Sequence, residues 1–313
     1  MAVAEWLKIT GMGSASDAGT ILVTRACRHI GRELCRLLRN AERKLLSVDL
    51  DHEKTQDVAR CDLRSKSEIA HLFQAYPIRA VIHLAGILPS AFRTDPLTGA
   101  DVNVGGSCEL MRQSAAAHVK RFIFASSMSV YGSSPTRRPV TEDHPPAPDD
   151  PYGASKLSVE LVGQTLARKK TFEFVALRIA RVVGPGIKKT SSPWRSQIFE
   201  ACPQRDSVCL PFAPEAVLSL VHVEDVARML FTLADTAKMS CSVYNTPVEI
   251  WEARKLKEAI EELRGIRLEL GPEAAHGGPI CDGGRFSREF GFQLRGLRDR
   301  LSSRVANNPA SFA

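Results

Sequence analysis

Short apolar runs at residues 20–23, 44–48, 80–84, 121–125 and 174–179 alternate with amphipathic stretches at 30–38, 67–75, 110–118 and 154–168. Continuous apolar strands separated by helices predict a parallel sheet covered on both faces. Right-handed crossovers make that pattern an α/β, doubly wound, Rossmann-type fold. The Pro-rich stretch 138–151 reads as a loop ahead of a helix that starts near Tyr152. Beyond residue 179 the alternation breaks at Gly184-Pro185-Gly186 and in the Ser/Pro-rich stretch 190–193. A strand pattern returns at 218–223, followed by a helix capped near Glu224-Asp225, while 251–263 and 291–303 read as small helices. The expected division is a loose N-terminus (1–18) and a dinucleotide-binding domain (19–180, with 218–247 returning to it). A smaller C-terminal substrate lobe (181–217 and 248–304) and a loose C-terminus (305–313) complete it.

Composition narrows the class. With 44% hydrophobic and 25% charged residues, the 313-residue chain is neither collagen-like nor a coiled coil nor wholly disordered. No apolar run reaches the roughly 18 residues that span a bilayer, and no signal-peptide pattern opens the chain, so a cytoplasmic location without a membrane partner is expected. The eight cysteines form no CxxC pair and read as reduced thiols; no metal motif is present. His83 and His222 lie in strand patterns and read as structural. The net charge of +7 could suggest nucleic acid, but acidic residues are interspersed. Arg32, Arg36, Arg39 and Arg43 share one helix face, read as a solvated face rather than a nucleic-acid surface.

The strongest chemical signal is Tyr152-Gly153-Ala154-Ser155-Lys156, preceded by Ser126-Ser127 at a strand end. Tyr and Lys four apart lie on one helix face. An ammonium beside a phenol lowers the phenol's pKa, so Tyr152 is expected to exchange a proton with a substrate hydroxyl near neutral pH. A serine hydroxyl at the strand end would bond the same oxygen.

On these motifs the chain resembles the extended short-chain dehydrogenase/reductase family, of the NAD-dependent epimerase/dehydratase type. Further landmarks are Asp49 after the second strand, Asp62-Leu63 after the third and His83-Leu84-Ala85-Gly86 at the fourth. Asn103 stands in Asp101-Val102-Asn103-Val104-Gly105-Gly106, and Val221–Ala227 marks the late strand-helix turn. The resemblance implies Ser127, Tyr152 and Lys156 as catalytic residues. It implies cofactor contacts from Arg28, Ile30, Gly31, Asp49, Asp62, Leu63, Leu84, Ala85, Gly86, Asn103, Tyr152 and Lys156. The cofactor would be NAD, favoured by Asp49, or NADP, favoured by Arg28. The same resemblance implies a homodimer formed through helices near 97–118 and 154–168.

The glycine-rich turn departs from the family's TGxxGxxG. It reads Thr24-Arg25-Ala26-Cys27-Arg28-His29-Ile30-Gly31, keeping only the last glycine. If Arg25 needs positive φ, it costs about 1–2 kcal/mol there. Guanidinium groups also pair with phosphates. Weakened or altered cofactor binding is therefore the expectation. On the substrate side, Leu218-Ser219-Leu220 replaces the family's Arg-Asp-Phe nucleotide clamp, and Arg181 replaces a substrate-binding asparagine. Both changes favour a small-molecule substrate such as a polyol, sugar acid or sugar derivative, its charge met by Arg181, Arg195 or Lys188 and Lys189. Trp194 would border the pocket. The expected activity is NAD(P)-dependent oxidation or reduction of a secondary alcohol or carbonyl. Its alternatives are a nucleotide-sugar epimerase and, from another class, a non-catalytic sensor or scaffold with a decayed cofactor site.

Overall fold

The computed structural model describes residues 19–51, 57–133, 139–186, 192–200, 207–271 and 278–303. The expected loose ends, and Lys188 and Lys189, lie outside these residues. The strands are β1 (Thr20–Thr24), β2 (Leu45–Asp49), β3 (Val58–Arg60), β4 (Ile78–His83), β5 (Arg121–Ser127), β6 (Glu173–Ile179), β7 (Arg181–Val183), β8 (Val208–Leu210), β9 (Val217–His222), β10 (Val243–Asn245), β11 (Glu249–Glu252) and β12 (Leu268–Leu270). Seven of them form a parallel sheet in the order β10-β6-β5-β4-β1-β2-β3. Helices cover both faces, so the fold is the doubly wound Rossmann type. The central strands carry Leu22, Val81, Ile123 and Val175 without exposure, which explains their unbroken apolar runs.

Differences from the sequence pattern lie mainly after β6. Strand β9 pairs with β7 and β11 in a separate three-stranded sheet. Only the helix Val223–Asp235 and β10 return to the main sheet. That helix is capped by His222, whose ring accepts from the Glu224 amide, one turn-position earlier than expected. Trp251 belongs to β11, and the helix after it is Ala253–Arg264. Within 291–303 only Leu297–Ser302 is helical, and a separate short helix, Gly284–Phe290, precedes the stretch. Arg32 and Arg43 are not on a solvated face. Arg32 donates to the Gly186 carbonyl, and Arg43 pairs with Asp235 at 2.8 Å.

One buried network ties the sheet to its main helix, Pro151–Arg168. Glu160 on that helix accepts from Ser126 at 2.5 Å and pairs bidentately with Arg178 of β6. Arg178 also donates to the Tyr131 hydroxyl at 2.8 Å, and that hydroxyl donates to Asn245 of β10 at 2.8 Å. The helix, β5, β6, β10 and the turn carrying Tyr131 are thus tied together by buried charges. Arg178→Met strands the Glu160 carboxylate and should cost about 3–5 kcal/mol in urea unfolding. Breaking the exposed Arg298–Glu262 pair should cost under about 1 kcal/mol.

Candidate active site

The site grows from the C-terminal ends of β1, β4, β5 and β6, where a parallel sheet leaves a crevice. Strand β5 ends in Ser126 and Ser127. The next turn, Met128–Tyr131, begins with the Ser127 hydroxyl accepting from the Ser129 amide at 3.1 Å. Asp150 caps the helix Pro151–Arg168 by accepting from the Gly153 amide at 2.6 Å. A side chain at Gly153 would place its Cβ 2.4 Å from the Ser129 carbonyl oxygen. This glycine therefore lets the helix start press against the turn, which brings Tyr152 within hydrogen-bonding reach of Ser127.

Lys156, one helical turn on from Tyr152, is buried. Its Nζ donates to the Ala125 carbonyl at 2.9 Å and lies 5.7 Å from the centre of the Tyr152 ring. Burial first, and the nearby Arg25 guanidinium second, pull the Lys156 pKa down to about 7, against Glu160. The Tyr152 phenol is pushed up, not down, which corrects the expectation from the four-residue spacing. Burial outweighs the hydrogen bond from Ser127 and the charges of Arg25 and Arg195. The cations acting on the phenol are thus two arginines that spacing along one helix could not reveal.

A cavity of about 580 Å³ gathers these groups. Among the predicted residues, Arg28, Ile30, Gly31, Leu84, Gly86, Ser127, Tyr152, Lys156, Arg181 and Arg195 line it. Asp49, Asp62, Leu63, Ala85 and Asn103, predicted as cofactor contacts, are not among the lining residues. Asp49 accepts from the Cys27 amide at 3.0 Å, and Asp62 pairs with Arg64 at 2.6 Å. Leu63 is in the core. Asn103 sits in a π-helical turn and clamps the loop after β4, accepting from the Ile87 amide at 2.7 Å and donating to its carbonyl at 3.1 Å. His83 is structural: buried, with its pKa held near 3, it joins Thr24 to Ser107. Trp194 is fully buried against Phe212, a packing role.

Charge distinguishes this cavity. Arg25, Arg28, Arg32, Arg93, Lys156, Arg181 and Arg195 line it, whereas Asp51 is the one carboxylate among its described lining residues, and Asp51 is already paired with Arg28 at 2.5 Å. Arg181 stacks 4.7 Å over the Phe212 ring, its pKa drawn down to about 9 by burial and then by Arg195. The Nε of Arg195 is buried without a hydrogen-bond partner. Reading along the sequence missed Arg32, Arg93 and His29 as wall residues. Arg32 was hidden by its helical spacing with surface arginines.

A model of the NAD dependent epimerase/dehydratase family matches residues 21–245. The chain belongs to this family. The UDP-glucose 4-epimerase of Yersinia pestis is 36% identical over 160 residues, 46% of this chain and 47% of that enzyme. UDP-glucose 4-epimerase 2 of Oryza sativa subsp. japonica is 28% identical over 228 residues, 66% of this chain and 55% of that enzyme. The chain thus matches about half the length of these two relatives. Among solved structures, MoeE5 in complex with UDP-glucuronic acid and NAD superposes with a TM-score of 0.80 at 27% identity, covering 94% of this chain and all of that one. The L-threonine dehydrogenase of Phytophthora infestans shares the fold, with a TM-score of 0.85 at 17% identity and coverage of 93% and 99%.

The residues present fit the family's dinucleotide. At Gly31 a Cβ would stand 2.2 Å from the Arg25 carbonyl oxygen, so the turn lies as close to its helix as the family motif requires. The helix His29–Asn40 has no acidic residue in its first turn, which leaves its positive end to an anion. Leu218-Ser219-Leu220, which stands where the resemblance places a nucleotide clamp, lies in β9. Ser219 is buried and bonded to the Pro279 carbonyl and the Cys281 amide, facing the core.

The Lys156 shift carries a pH signature. Its folded pKa is near 7 against the usual 10.5, so the unfolded chain holds more protons between those values and this group's contribution to stability rises with pH there. Against Lys156→Met, which does not titrate, the native protein should gain on the order of 2 kcal/mol in urea unfolding between pH 7 and pH 9. An unchanged gap would refute the shift.

Proposed function

We propose that the chain is an NAD(P)-dependent oxidoreductase acting on a secondary alcohol or carbonyl of a small polyol, sugar acid or sugar-derived substrate. The observation that carries this reading is the convergence of Ser127, Tyr152 and Lys156 on one cavity whose far wall is Arg181 and Arg195. NAD, when bound, supplies a hydride acceptor, or donor in the reverse direction. Tyr152 would take the hydroxyl proton of the substrate, with Ser127 orienting that oxygen. The cations around the phenol, Arg25 and Arg195, would stabilise the phenolate form of Tyr152 that accepts this proton. Lys156 would steady the ribose side of the site from its anchor on the Ala125 carbonyl. Arg181, next to Arg195, would hold the substrate's anionic end.

The second reading, a nucleotide-sugar epimerase, is favoured by the 36% identity to the Yersinia pestis enzyme. The two part on net redox change. On a panel of sugar acids and polyols, the dehydrogenase accumulates free NADH; an epimerase interconverts its substrate without doing so. Tyr152→Phe should lower turnover at least about 100-fold in either case. Turnover undiminished in that variant would remove both readings.

A homodimer fits the exposed apolar side chains on two touching helices. Leu97 of Pro96–Ala100 is 79% exposed, and Leu161 of Pro151–Arg168 is 55% exposed. Gel filtration should give the mass of two chains, and Leu161→Glu should shift it to one. A native mass of one chain would contradict the pairing.

A further inference from the structure

We infer that Arg25 is the residue that holds the cofactor's pyrophosphate, its guanidinium moving from the Gly86 carbonyl onto the phosphate oxygens. The inference rests on the NAD(P) reading and adds a role that the family's turn, with glycine at this position, has no side chain to perform.

Arg25 has φ of 58°, in the left-handed region where L side chains are strained. A long side chain kept in a conformation that suits glycine points to a use for that side chain. Its Nη1 donates to the Gly86 carbonyl at 2.5 Å, so the guanidinium bridges the first turn and the loop after β4 across the cavity. The turn's own amides are committed elsewhere. The Ala26 amide donates to the Val48 carbonyl at 3.1 Å, that of Cys27 to Asp49 at 3.0 Å and that of Arg28 to the Arg25 carbonyl at 3.3 Å. An anion seated here is therefore met by the helix end beyond residue 28 and by side chains.

Electrostatics point the same way. Arg25, Lys156 and Arg195 gather around Tyr152, with Arg181 next to Arg195, and burial holds back the charge of each. A neutral carbonyl offsets only part of a buried guanidinium's cost, whereas two phosphate charges offset it fully and allow bidentate pairing. Binding carried by such a pair depends on ionic strength more than binding carried by backbone amides.

The test is calorimetric titration of the full chain with NAD, at low and at physiological salt, for the native protein, Arg25→Gly and Arg25→Lys. Thermal melting first establishes that Arg25→Gly is folded, which its φ favours. The expected result is a loss of at least about tenfold in affinity for Arg25→Gly, a flatter salt dependence, and partial recovery in Arg25→Lys. Equal or tighter binding by Arg25→Gly would show that Arg25 fills the seat rather than serving it; that overturns the inference and leaves the cofactor reading standing. Absence of binding at millimolar NAD by both folded proteins would overturn the inference and the cofactor reading together.

Discussion

Burying positive charge without a matching anion is the constraint around which this molecule is arranged. Elsewhere in the fold the most deeply buried arginines are paired with carboxylates. Arg178 meets Glu160, Arg300 meets Glu224 and Asp225, and Arg121 meets Glu173. Around Tyr152 the cations are not: Arg25 rests on a carbonyl, Lys156 on another, and Arg195 keeps a buried Nε without a partner. The same interior that satisfies its structural charges leaves these as an unfilled demand for anions. That contrast, more than any single motif, marks the cavity as a site for a ligand carrying several negative charges.

The structural pairs also make the site rigid. Glu160 lies one turn beyond Lys156 on the same helix and binds Ser126, the neighbour of Ser127, while its partner Arg178 reaches Tyr131 and, through it, Asn245. The helix Pro151–Arg168, the end of β5 and the edge of the sheet are therefore tied together by buried hydrogen bonds beside Ser127, Tyr152 and Lys156. Belonging to the NAD dependent epimerase/dehydratase family accounts for that frame.

Much of the frame was legible because it is written locally. Apolar runs flanked by amphipathic stretches identified the central strands, and Tyr152 and Lys156 announced one helix face by their spacing. What spacing could not carry was partnership at a distance. Arg32 and Arg43 looked like surface charges until the fold brought Gly186 and Asp235 to them. The phenol of Tyr152 looked acidified by its lysine neighbour, yet burial reverses the sign and depresses the lysine as well. After β6, the strands β7, β8, β11 and β12 are three or four residues long, too short for periodicity to separate β11 from the helix that follows it. The missing glycines of the first turn were visible at once; where the Arg25 side chain goes was not.

The central claim is that the site's cations await an anionic cofactor, and proton linkage tests it most directly. At pH 7 Lys156 is about half protonated, so phosphate charges arriving beside Arg25 should raise its affinity for a proton. NAD binding measured calorimetrically at pH 7, in buffers of different ionisation enthalpy, should show uptake of up to about half a proton, lost in Lys156→Met. Binding with no proton uptake, or with proton release, would contradict the account.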